Sequence, residues 1–142
     1  SLLTAKKIPI KSKSLSQELE SAIWKFDLET TNQEIITIEK WESAINEIIT
    51  STNLIWKDKD KKGRPRERNC RQELKDLKVN YIFDSKSNSK EIKCAQIKLK
   101  TAIDLQGRSI KPLQIEHWIE KEIGLELTVK NVKRQELQLL QC

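Results

Sequence analysis

The chain has 142 residues, 37% hydrophobic and 34% charged, with 27 Lys and Arg against 21 Asp and Glu for a formal net charge of +6. That size suits one domain with a modest core, and no apolar run approaches the roughly 20 residues that a membrane-spanning helix requires. The first residues carry no signal-peptide pattern. Cys70, Cys94 and Cys142 are odd in number and widely spaced, which argues against a disulfide framework and for a reducing cytoplasm. Much of the core must come from the 18 Ile and four Trp. The chain opens at Ser1 and contains no Met, which leads to the expectation of a piece of a longer protein.

In chain order, residues 1–13 read as a basic connector with a short strand near Lys7 to Ile10, and residues 14–142 as a single domain. Ser14 and Gln17 have capping-box spacing, and Leu15, Leu19 and Ala22 follow at helical intervals, so a short helix is expected. Ala22, Trp24, Phe26 and Leu28 alternate with Ile23, Lys25, Asp27 and Glu29, the period of a half-buried strand. Thr37 can cap a helix with Ile38, Trp41, Ile45 and Ile48 on one stripe. Leu54 to Trp56 starts a strand, and Asn69 can cap a short helix with Leu74 and Leu77 inward.

Val79 to Phe83 is a further apolar run, and Asp84 to Lys90 a polar loop. Ala95, Ile97, Leu99 and Thr101 form one face of the next strand, with Cys94, Gln96, Lys98 and Lys100 on the other. After a turn around Gly107, Pro112 opens a helix with the stripe Ile115, Trp118, Ile119 and Ile123, ended by Gly124. Leu127 to Leu139 has strand character with a bulge or turn near Gln135. This order predicts an α+β fold: a ferredoxin-like βαββαβ two-layer sandwich with an extra basic β-hairpin and short helices.

The charge is not spread evenly. Lys57, Lys59, Lys61, Lys62, Arg64, Arg66, Arg68 and Arg71 face only Asp58, Asp60 and Glu67, a net +5 between positions 57 and 71 (8 − 3). Four of the six Arg fall here although Lys is far commoner, and guanidinium is the group for planar, forked contact with phosphate or carboxylate. Asp60-Lys61-Lys62-Gly63 has hairpin-turn composition, which places Arg64, Arg66 and Arg68 on one face of the return arm. One reading is RNA-backbone contact, with Trp56 available for stacking. Another is docking on an acidic protein surface. A third is a solvated tip whose Lys and Asp pair locally, with Trp56 in the core.

Catalytic chemistry finds no footing. His117 is the single histidine, there is no G-x-S-x-G, and Gly63, Gly107 and Gly124 are too far apart for a phosphate loop. The three cysteines lack C-x-x-C spacing, so no catalytic residue and no metal ligand is assigned.

Three strings carry a family likeness: IPIKSKSLSQELESA, WKDKDKKGRPRERNCRQELKDL and DLQGRSIKPLQIEHWIEKEIGLELTVKNVKRQELQLL. From about Ile8 to Leu140 the chain resembles the C-terminal, radical SAM-linked domain of cyanobacterial proteins of the Fe–S oxidoreductase type, and KKGRPRERNCR is the most specific part. The resemblance implies a parent protein whose radical SAM core holds a 4Fe-4S cluster and S-adenosylmethionine. The cluster motif C-x-x-x-C-x-x-C does not occur here, so neither cofactor is expected in this fragment. It implies a non-catalytic accessory domain that holds substrate, with RNA as the candidate, or that docks on the parent's catalytic core or on a partner protein.

Overall fold

A computed structural model describes residues 20–32, 34–82, 91–92 and 94–138. The expected connector, its strand near Lys7 to Ile10 and the loop Asp84 to Lys90 lie outside these residues. The fold is α+β, with antiparallel sheets and, among the described residues, two α-helices. The main sheet joins β1 (Glu20–Thr30), β5 (Leu74–Ile82), β7 (Cys94–Ala102) and β8 (Leu127–Gln138) in the order β5-β7-β1-β8. Two short pairs complete it: β2 (Ile36–Thr37) with β6 (Glu91–Ile92), and β3 (Ile55–Lys59) with β4 (Pro65–Asn69).

Alternation decides which face of the sheet is buried. Ala22, Phe26 and Leu28 of β1 and Ala95, Ile97, Leu99 and Thr101 of β7 point inward and are buried, while Lys25, Gln96, Lys98 and Lys100 point out. Helix α1 (Ile38–Thr50) starts where Thr37 Oγ1 accepts the Lys40 backbone N–H at 3.2 Å. It buries Trp41, Ala44, Ile45 and Ile48 on the inner face. Helix α2 (Pro112–Ile123) buries Ile115, Trp118, Ile119 and Ile123 beside them and ends at Gly124 with φ 82°. Glycine meets that left-handed value without a Cβ clash. Both helices therefore share one core against one face of the sheet.

Several expected elements differ. Ala22 belongs to β1 and not to a helix begun at Ser14; the remainder of that expected helix lies outside the described residues. The helix expected after Asn69 is one 3-10 turn, Arg71–Glu73, and β5 begins at once at Leu74. Leu74 and Leu77 do point inward, but a three-residue spacing around the register shift at Leu74/Asp76 had mimicked a helical interval. The irregularity in β8 also lies elsewhere. Phe26 of β1 is bypassed between the pairs Lys25–Lys133 and Asp27–Lys130, and Asn131 takes φ 55°. The bulge is at Asn131, not Gln135, because Asn tolerates the left-handed region.

Candidate functional site: an arginine-lined cleft

The basic stretch forms the β3–β4 hairpin, with Trp56 opposite Arg68 and Asp58 opposite Arg66. Trp56, Asp58, Arg66 and Arg68 thus occupy one face, and Lys57, Lys59 and Glu67 the other. The hairpin leans on α2 through Trp56. Its ring stands edge-on to His117 at 5.4 Å and to Trp118 at 6.4 Å, and the Trp118 indole N–H donates to the Ile55 carbonyl at 3.0 Å. Trp56 is half-buried, packed against the core and also lining the space beside the hairpin.

Each arginine of the hairpin is bound, and not in the same way. Asp60 organises the tip: its Oδ1 accepts the Lys62 and Arg64 backbone N–H groups, each at 2.9 Å, and its Oδ2 accepts Arg64 Nε at 2.8 Å. Gly63, at φ 80°, supplies the left-handed residue of that turn. Arg66 grips Asp58 in a fork, Nε to Oδ1 at 2.7 Å and Nη2 to Oδ2 at 3.0 Å. This pair holds the Asp58 carboxyl below its ordinary value, chiefly through the Arg66 hydrogen bond, and raises Arg66.

Arg68 turns inward to pair with the nearly buried Glu73, and its Nη2 donates to the Ser109 carbonyl at 3.5 Å. Arg71 donates to the carbonyls of Ser51 at 2.7 Å, Ile49 at 3.1 Å and Leu74 at 3.5 Å. It fastens the end of α1 to the 3-10 turn. Arg64 and Arg66 remain exposed, as do Lys57, Lys59, Lys61 and Lys62. Lys57 lies 3.9 Å from Glu67.

A second loop reproduces the hairpin tip. Residues 104–108 read DLQGR where residues 60–64 read DKKGR. Asp104 Oδ1 accepts the Gln106 and Arg108 backbone N–H groups at 2.9 and 2.8 Å, and its Oδ2 accepts Arg108 Nε at 2.7 Å. The backbone bonds match as well, with the Gly107 and Gly63 N–H groups each 2.9 Å from the carbonyl of their Asp. Burial opposes it, yet the Arg108 backbone and guanidinium hold the Asp104 carboxyl below its ordinary value.

Between the hairpin and this loop lies a cleft of about 570 Å³, lined among others by Trp56, Arg66, Arg68, Arg108, Lys111 and Gln114. Lys111 stands at the start of α2 and its Nζ donates to Ser109 Oγ at 2.6 Å. Burial, then Arg134 and Arg68, push its ammonium below the usual lysine value. Lys111 is thus crowded by neighbouring cations, while Arg66, Arg68 and Arg108 are each paired with a carboxylate, Asp58, Glu73 and Asp104, and Glu67 also lines the cleft.

Of the residues singled out in the sequence, Trp56, Arg66 and Arg68 line this cleft. Lys57, Lys59, Lys61, Lys62, Arg64 and Arg71 do not. Arg108, Lys111 and Gln114 were not singled out. The signal that could have found Arg108 is the repeated D-x-x-G-R string; Lys111 and Gln114 have none beyond their place at a helix start.

The described cysteines do not fit an iron–sulfur cluster. Cys70 is buried, with its thiol 3.9 Å from both the Arg68 carbonyl and Gln114 Nε2, and burial raises its pKa. Cys94 lies on the outer face of β7, its thiol pushed up to about 11, first by burial. Among the described residues no group of three or more His, Cys, Asp or Glu could hold a metal ion, and no helix is long and apolar enough to cross a membrane.

Fold and site together define a small α+β domain with a cation-lined cleft. Residues 1–112 match the family described as uncharacterized protein conserved in bacteria (DUF2344), and the chain belongs to that family. No curated protein and no solved structure matches it.

Proposed function

We propose that this chain is a non-catalytic, substrate-holding domain that grips an anionic group, with RNA phosphate the leading candidate, in the cleft between the β3–β4 hairpin and the Asp104–Lys111 loop. The observation that carries this reading is the convergence of Arg66, Arg68, Arg108 and Lys111 on one cleft beside Trp56. Arg66 and Arg108 are half or more exposed and each is preset by a carboxylate, so their remaining N–H groups are oriented for a ligand. The likeness of the three sequence strings to radical SAM-linked domains supplies the context: a parent Fe–S oxidoreductase with its 4Fe-4S cluster and S-adenosylmethionine in another segment, presented with substrate by this domain. The strand order and antiparallel pairing of the main sheet support the ferredoxin-like reading of the fold.

The test is RNA binding by the chain at low salt. Arg66→Lys with Arg108→Lys keeps the charge but loses the fork, and is expected to weaken binding at least fivefold with unchanged thermal unfolding. Equal binding by both proteins reduces the cleft to a generic charge patch, and no binding by the wild type removes RNA as its ligand. A second reading is docking on the parent's catalytic core or a partner protein. It is favoured by Leu105 and Leu113, exposed by 74% and 63%, on the loop and on α2 beside the cleft.

A further inference from the structure

The register of the main sheet brings together four lysines that lie far apart in sequence. Lys78 of β5 is paired with Lys98 of β7, Lys98 with Lys25 of β1, and Lys25 with Lys133 of β8. One row thus crosses all four strands, one lysine per strand, on the face opposite the helices. At the usual strand separation the row is about 14 Å long. All four residues are exposed.

Like charges directly opposite one another in a sheet are unfavourable, so such a row costs stability unless something uses it. The neighbouring rows do little to neutralise it. Asp27 accepts from Asn131 Nδ2 at 2.8 Å, Glu29 is paired with Lys130, and Asp76 lies 3.6 Å from Lys78. Among the described residues, Lys25, Lys98 and Lys133 have no ion-pair partner, and Lys100, next to Lys98 on the same face, has none either.

We propose that this lysine row is a track for the phosphodiester backbone of a single RNA strand, laid across the sheet and bound without regard to base sequence. The single file of the charges favours a polyanionic chain laid across the strands over a folded acidic surface: the four lysines repeat at about the strand separation along about 14 Å, and each compact ammonium on its flexible stem accepts phosphates from many angles. No aromatic side chain stands among the row or its two flanking rows (Asp76, Lys100, Ile23, Gln135; Asn80, Gln96, Asp27, Lys130), so base stacking is not provided for. Backbone contacts position a strand and carry no sequence information. The surface is separate from the cleft and stands whether or not the cleft holds RNA.

The test is fluorescence anisotropy of a labelled 20-nucleotide oligouridylate with the full chain, between about 50 and 300 mM salt. Lys25→Gln with Lys98→Gln and Lys133→Gln is expected to weaken binding at least tenfold at low salt. The slope of log K against log salt should shrink by about 2, from roughly 0.7 per lost phosphate contact. The corresponding triple Arg variant should bind within about threefold of wild type. Removing the repulsion should leave the Gln variant at least as heat-stable, and the single Lys25→Gln change serves as a milder variant should it fold poorly. An Arg66→Gln, Arg108→Gln protein run alongside separates the two surfaces: the row predicts that it retains the lysine-dependent part of the slope. Undiminished binding by the Gln triple variant overturns the lysine track and leaves the cleft reading intact. Lysine-dependent capture by phosphatidylserine vesicles with no oligouridylate binding overturns it in favour of a membrane surface.

Discussion

Arg66 and Arg68 are two residues apart on one strand face, yet physics gives them different work. Arg66 forks onto Asp58 in the open, where ion pairs contribute little. Arg68 neutralises Glu73, whose side chain is 12% exposed. Loss of Arg68 strands that carboxylate, so Arg68→Ala is expected to destabilise the domain by about 3 kcal/mol. Arg66→Ala should leave stability nearly unchanged, because its ion pair with Asp58 stands in solvent. Chemical denaturation of the two variants checks this, and equal costs would contradict it. The same scale holds a pH effect. Asp104 and Asp60 have carboxyl groups below the ordinary 3.8, Asp60 first through the Arg64 backbone N–H. A lowered carboxylate pKa stabilises the fold above the unfolded value and loses that contribution as pH falls through the folded one. Both loop tips should therefore stay latched at and above the ordinary carboxylate value and open only as pH falls through the lowered folded values, seen as accelerated exchange of the Arg64 and Arg108 backbone amides. Opening of those amides at a pH above the ordinary carboxylate value would contradict the latch. Composition marked the arginines as one patch. It could not separate them, because Glu73 and the carbonyls that Arg71 serves are brought in only by the turn at 71–73.

The elements that could be read in advance were those whose period was long and uninterrupted. The stripes of α1 and α2 and the alternation of β1 and β7 each repeat over nine or more residues, and the buried residues follow them. Trp41, fully buried on the α1 stripe, is the sharpest case: Trp41→Ala should cost about 3 to 5 kcal/mol, and a loss under about 1 kcal/mol would place that stripe in solvent. Periodicity failed where strands carry bulges. The start of β5 carries Leu74 and Leu77 at a helical interval across a register shift, and the β8 bulge lies at Asn131 where the sequence points to Gln135. With φ 55° at Asn131, Asn131→Gly should be close to neutral, whereas Asn131→Val should lose about 1 to 2 kcal/mol. Equal unfolding midpoints for the Gly and Val variants would contradict a bulge at that position. The second half of the cleft was hidden for another reason. Arg108 sits 37 residues beyond Arg71 in a stretch of ordinary charge, and only the fold carries it to Arg66 (108 − 71 = 37).

On the scale of the whole molecule, charge that looked local is arranged on two surfaces. Residues 57–71 hold +5 of the net +6, but their arginines are held by Asp58, Asp60, Glu73 and backbone carbonyls. The face turned away from α1 and α2 gathers lysines from four strands, a pattern that exists only once the register is known. Neither surface offers soft ligands, and the purified chain is expected to carry no stoichiometric iron and to give no calorimetric signal with S-adenosylmethionine; either finding would require a site these residues do not form. The central claim is that the cleft grips an anionic group. A nitrogen-15 NMR titration of the full chain with a short oligouridylate tests it most directly, because the guanidinium Nε–H signals of Arg66 and Arg108 report on the cleft itself. The account expects both signals, and the backbone amides of Ser109 and Lys111, to shift together and saturably, with Arg71, outside the cleft, little moved. Shifts confined to the lysine row, or spread evenly over every exposed cation, would contradict it.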